Sequence, residues 1–130
     1  MKTFKLISID LIKTLEKEVR VCAFPILDGL IIDREDEDSQ WVLECLLDKK
    51  YLTYFTSLKE ANNELVLQAK ITKETNQPAT FLSTLIAINE MDQHINVLFK
   101  GKLSDQDLRI GKKKPTVHSI IGGENQLEKD

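Results

Sequence analysis

The chain has 130 residues, 42% apolar content and a formal charge of -3, which suits one domain with one core and leaves too little for a second. Charge this close to balance gives no whole-molecule attraction to nucleic acid or to an anionic membrane, and no apolar stretch approaches the roughly 20 residues of a membrane-spanning helix. Met1-Lys2-Thr3-Phe4 runs straight into a strand pattern rather than a signal peptide, so a soluble, cytoplasmic protein with no membrane span and no nucleic-acid partner is expected.

From Phe4 to Ile12 the apolar residues alternate with a change of phase: Phe4 and Leu6 share one face, while Ile7, Ile9 and Leu11 share the other. A bulge near Ser8, or burial of both faces, would produce this. A charged link from Lys13 to Lys17 follows, and Val19, Val21 and Ala23 then resume the period of two up to Phe24 and Pro25. Proline has no N–H to give to a ladder, so this strand is expected to bend there or to lie at an edge. Ile26-Leu27-Asp28-Gly29-Leu30-Ile31 sets two apolar pairs around Asp-Gly, which predicts a two-residue hairpin.

Asp33 to Asp38 contains five acids and one arginine, a density of like charge that predicts an exposed loop. Beyond it Trp41, Leu43, Cys45 and Leu47 alternate with Val42, Glu44, Leu46 and Asp48, the pattern of a half-buried strand. The period changes at Asp48, a candidate N-cap, because Tyr51, Phe55 and Leu58 form a helical stripe that runs through Ala61. Asn62 and Asn63 are suited to end that helix, since asparagine tolerates left-handed backbone angles. Three more alternating runs, Leu65 to Ile71, Phe81 to Ile88 and Ile95 to Phe99, are separated by Asn76-Gln77-Pro78 and Met91-Asp92-Gln93. They read as a β-meander, with Leu65, Leu67, Ala69 and Ile71 on the buried face of the first strand. Ser104 is placed to cap a short helix over Asp105 to Ile110, with Gly111 as its stop and a polar segment beyond.

The motifs that carry chemistry are incomplete. A phosphate loop needs a glycine five residues before Gly111 and a hydroxyl after Lys112, but those positions hold Gln106 and Lys113. Gly122-Gly123 lacks the strand before and helix after that a dinucleotide site requires. His94, His118, Cys22 and Cys45 show no zinc-ligand spacing, and the two cysteines are read as free core thiols. His94 lies between Asp92 and a strand in what reads as an exposed turn, and Ser83 and Thr84 fall inside a strand rather than on a nucleophile elbow. No catalytic, cofactor-binding or metal-binding residue is therefore assigned, and an enzyme remains only as a remote alternative with a site assembled from distant residues.

Charge supplies the one functional lead. The acidic run has a counterpart in Lys100, Lys102, Arg109, Lys112, Lys113 and Lys114. Opposite potentials on two parts of a chain steer association and fix register, so Asp36, Glu37 and Asp38 of one subunit are expected to meet Lys112, Lys113 and Lys114 of the next, head to tail. Two solvated surfaces that keep the protein in solution are the alternative.

Met1-Lys2-Thr3-Phe4-Lys5-Leu6, Trp41-Val42-Leu43-Glu44-Cys45-Leu46-Leu47-Asp48-Lys49-Lys50-Tyr51 and Ile95-Asn96-Val97-Leu98-Phe99-Lys100-Gly101 resemble the YwpF-like proteins of low-GC Gram-positive bacteria. The resemblance implies a β-barrel core with a pair of helices, similar in shape to Hcp, the ring-forming tube protein of type VI secretion, and brings no catalytic residues. The expected fold is mainly β: a single small barrel of about seven strands, with a helix near residues 49–61 and a short C-terminal helical element. Residues 1–103 would form the core and 104–130 a C-terminal segment of the same domain, with Phe4, Trp41, Leu43, Phe55, Phe81 and Phe99 among the core side chains. The expected function is that of a non-enzymatic structural or interaction protein, either a homo-oligomer or bound to another protein. A barrel that holds a small apolar molecule or lipid is the alternative.

Overall fold

A computed structural model describes residues 1–15 and 18–104. In chain order it contains β1 (Lys2–Leu15), β2 (Glu18–Phe24), β3 (Asp28–Asp33), β4 (Trp41–Asp48), a 3-10 turn (Lys49–Tyr51), α1 (Leu52–Ala61), β5 (Leu65–Ile71), β6 (Ala79–Glu90) and β7 (His94–Ser104). The sheet runs β1-β3-β4-β7-β6-β5 and closes on itself through β1 and β5, with β2 added on β1. The result is a six-strand barrel with one extra strand, and every pairing is antiparallel.

Closure depends on the length of β1. Lys2–Lys5 pair with β3, Leu6–Ile12 pair with β5, and Ile9–Leu15 pair with β2. The register with β5 shifts between Leu6 and Ser8, leaving Ile7 as the extra residue of a bulge. A bulge reverses the alternation, so Leu6, Ile9 and Leu11 all face the core at 1%, 4% and 3% exposure. The phase change near Ser8 thus resolves as a bulge. β6 repeats the device at Ile86, between Leu85 and Ala87.

Several local expectations are corrected. Asp28-Gly29 is not a hairpin turn: both residues lie in β3, opposite Leu46 and Cys45 of β4. The bend falls instead at Pro25–Leu27. There the returning chain leaves β2, where Phe24 faces Ile9, and continues as β3, where Leu30 faces Lys5. Gly29 is small for a packing reason, since a Cβ there would lie 3.0 Å from the Glu44 carbonyl oxygen and 3.2 Å from Leu6 Cβ. The charged link is also shorter than expected, because Lys13, Thr14 and Leu15 continue β1 opposite Arg20, Val19 and Glu18. In β2 it is Phe24 and Cys22 that pack against the core, while Ala23 is exposed. Pro25 ends an edge strand, as the missing N–H anticipates. Ser104 ends β7 opposite Thr80, and the expected helix over 105–110 and the rest of the 104–130 segment lie outside the described residues.

Asp48 does cap the chain's entry into helix, its Oδ1 accepting from the Lys50 N–H at 2.8 Å. Asn62 ends α1 with φ 53° and ψ 39°, and its N–H donates to the carbonyls of Leu58 and Lys59. Phe55, the buried residue of α1, enters the barrel beside Phe24 at 4.9 Å and Phe99 at 6.4 Å between ring centroids. Near the Ser104 end Trp41 stands edge-on to Phe81 at 5.5 Å and stacks on Phe4 at 6.5 Å. Leu43, Phe55, Phe81 and Phe99 are buried, but Phe4 and Trp41 are only partly so. They come from the first rows of β1 and β4.

Ser83 faces inward at 2% exposure and its hydroxyl has no hydrogen-bond partner among the described residues. A buried, unmatched hydroxyl costs free energy, so Ser83→Ala should stabilise the protein by about 1 kcal/mol, read from denaturant unfolding. A loss of similar size would show that the hydroxyl is bonded in solution.

Candidate interaction surface

Arg34 to Gln40 joins β3 to β4 and is tied down by its own acids. Asp33 Oδ1 accepts from the Glu35 N–H at 3.1 Å, and Asp36 Oδ1 accepts from the Gln40 N–H at 3.1 Å. Glu35 takes φ 54° and Ser39 φ 53°. Glu35 also receives the N-terminal ammonium at 2.9 Å and Lys2 Nζ at 3.6 Å, while Arg34 Nε lies 3.3 Å from Asp36 Oδ2. The hydrogen bond from the terminal ammonium is the main reason the Glu35 carboxyl is held below its ordinary pKa; for Asp36 it is the Gln40 N–H. The acidic run is therefore partly self-neutralised. Glu37 and Asp38 are exposed and make no ion pair with a described residue.

The pairings place this loop beside the lysines of β7. Trp41 lies opposite Gly101, and Val42 opposite Lys100. Lys102, one step past Gly101, faces Leu82 of β6. Loop acids and the strand lysines Lys100 and Lys102 thus share one end of the barrel. Arg109, Lys112, Lys113 and Lys114 lie outside the described residues.

A second surface is the edge of β2. β2 pairs with β1 alone among the described strands, so one row of its backbone N–H and C=O groups has no ladder partner there. Such an edge is a template for a further strand. It was legible only as the choice between edge and bend that Pro25 posed.

The groups weighed for chemistry are dispersed. His94 opens β7 opposite Asp48 and is partly buried rather than exposed in a turn. Glu90, close by, pairs with Lys49 at 3.7 Å. Of the two cysteines, Cys45 is buried and Cys22 partly so. No cluster of three or more histidine, cysteine or acidic side chains suited to a metal occurs among the described residues. No helix there is long and apolar enough to cross a membrane.

Burial, and secondarily the Glu44 charge, pushes the Cys45 thiol up to about 12 from an ordinary 9.0. The native fold then favours the protonated form, so this contribution is fully present below pH 9.0 and is lost as pH rises toward about 12. Stability should fall through that window by up to about 1.4 kcal/mol per pH unit. Cys45→Val should flatten this part of the profile in alkaline urea melts; an unchanged slope would place its origin elsewhere.

The model of the YwpF-like protein family matches residues 2–118. Among curated proteins, uncharacterized protein YwpF of Bacillus subtilis (strain 168) is 34% identical over 103 residues, covering 79% of this chain and 76% of that one. Among solved structures, the crystal structure of a hypothetical protein from Staphylococcus aureus superposes with a TM-score of 0.72 at 26% identity, covering 80% of this chain and 71% of that one.

Proposed function

The chain belongs to the YwpF-like protein family, and from that premise we propose that it is a non-enzymatic interaction protein, a filled barrel that works through its outside and associates with copies of itself. The edge of β2, unpaired among the described strands on an otherwise closed sheet, carries this reading. Antiparallel pairing of two such edges would satisfy both rows of backbone groups about a two-fold axis.

Among the described residues, the cavity between α1 and the strands gives no support to the ligand-holding alternative. Ile9, Phe24, Phe55 and Phe99 are among the residues that close around a cavity of about 10 Å³. That is near the minimum for one water and far below a ligand site of about 300 Å³ or more.

The charged end supplies a second contact, with Glu37 and Asp38 of one copy against Lys100 and Lys102 of another. Two separate contacts per subunit permit assemblies larger than a dimer. A ring of the Hcp kind is one such form.

Light scattering on the purified full chain tests the proposal. Wild type should exceed monomer mass, and Val21→Lys, which sets a charge on the edge strand, should lower it. Raised salt should weaken the charged contact, because exposed charges are screened over about 8 Å at physiological ionic strength. Lys100→Glu with Lys102→Glu should act likewise at low salt, and adding Glu37→Lys with Asp38→Lys should restore association. A monomer at every salt and protein concentration would overturn the proposal.

A further inference from the structure

The outer face of β3, β4 and β7 carries a groove of about 210 Å³. Strand register assembles it: Leu46 faces Asp28 on one side and Asn96 on the other, and Leu30 faces Glu44. Met91, 42% exposed in the β6–β7 turn, completes the lining. The walls from Leu30, Leu46 and Met91 are apolar. Between them Glu44 is part-buried, and its Oε2 accepts from Asn96 Nδ2 at 2.6 Å.

This bond fixes the chemistry of the site. A carboxylate only accepts, so the Asn96 amide must turn its NH2 toward Glu44, which leaves its Oδ1 as a further acceptor. Glu44 makes no ion pair with a described residue, and the cation near Asp28 is Lys5 Nζ at 3.8 Å, with both side chains exposed. The groove therefore presents acceptors and negative charge between apolar walls, with no counter-ion on Glu44 among the described residues.

We infer that this groove receives the ammonium of a lysine side chain carried by another polypeptide. An ammonium brings three donors to a site built of acceptors. A guanidinium fork would need both carboxylate oxygens, and Asn96 already occupies one of them. The lysine stem can lie along Leu30, Leu46 and Met91, as amphipathic side chains do on apolar surface. The volume suits one side chain rather than a metabolite, whose pockets start near 300 Å³. Leu27, 58% exposed and tied to the Leu46 carbonyl by its N–H at 2.8 Å, precedes Asp28 of the lining. An exposed apolar residue next in the chain offers a polypeptide a contact that a free amine lacks.

Two-dimensional NMR of the labelled full chain tests this, with three probes: the peptide acetyl-Ala-Lys-Ala-amide, its Nε-acetylated form, and butylamine. The unmodified peptide should give saturable shifts centred on Leu30, Glu44, Leu46 and Asn96. Binding should weaken about tenfold or more on lysine acetylation and in Glu44→Gln, since a charge-assisted bond is lost in each. Met91→Lys, which offers the groove an ammonium from its own chain, should also suppress the response and does not depend on the folding of the Glu44 variant. Absent or dispersed shifts, an equal response to the acetylated peptide, unchanged binding in either variant, or butylamine binding as tightly as the peptide would overturn the inference.

Discussion

Replacing Gly101 with alanine is expected to destabilise the protein by about 3 kcal/mol or more, because the added methyl has nowhere to go. Gly101 faces inward on β7 between Trp41 of β4 and Ser83 of β6. A Cβ there would collide with the Leu82 carbonyl oxygen and lie 2.5 Å from Ser83 Cβ and 2.6 Å from Ser83 Cα. Two of these three atoms are backbone, so relief requires β6 and β7 to separate, not a side chain to rotate. Gly29→Ala is the milder control. Its nearest contacts of 3.0 and 3.2 Å yield to a shift of a few tenths of an ångström, for a cost of about 1 kcal/mol. Denaturant unfolding of the pair reads the difference, and equal effects would mean that β6 and β7 approach less closely than described.

Phe55 is the second position of large effect. α1 has ten residues, too few for stability in isolation, so it is held by packing against the barrel. Phe55, 3% exposed, sits among Phe24, Tyr54 and Phe99. Truncation to alanine should cost about 3 to 5 kcal/mol through lost burial and the cavity left behind. Phe55→Asp should prevent folding, since it buries a charge with no partner. Thr53→Asp, on the exposed face of the same helix, should change stability by no more than about 0.5 kcal/mol. Similar melting of the Phe55 and Thr53 variants would contradict the assigned face.

Features set by neighbours in sequence were legible. β4, β5, β6 and β7 announced themselves by alternation, the phase change from Leu6 to Ile9 marked a bulge, and Asp48 and Asn62 bounded the helix through side-chain and backbone preferences that act locally. The same phase signal from Leu85 to Ile88 marks the β6 bulge and went unread. Asp28-Gly29 misled because glycine serves two ends, a turn or a close approach, and only the tertiary position of Leu6 distinguishes them. Closure through β1 and β5 joins Leu6 to Ile71, a pairing with no local signature. Where the charges sit was likewise not legible: the β4–β7 register brings the acidic loop and Lys100 to one end, a placement that no local pattern announces. The groove at Glu44 depends on Asn96, 52 residues away, and no spacing motif links them.

Native mass spectrometry of the purified full chain tests the central claim most directly, since one spectrum reports both assembly and bound small molecules. A filled barrel that associates through its outer surface predicts multiples of the chain mass with nothing further attached. A monomer that carries a small apolar molecule, released only when the barrel unfolds, would contradict it.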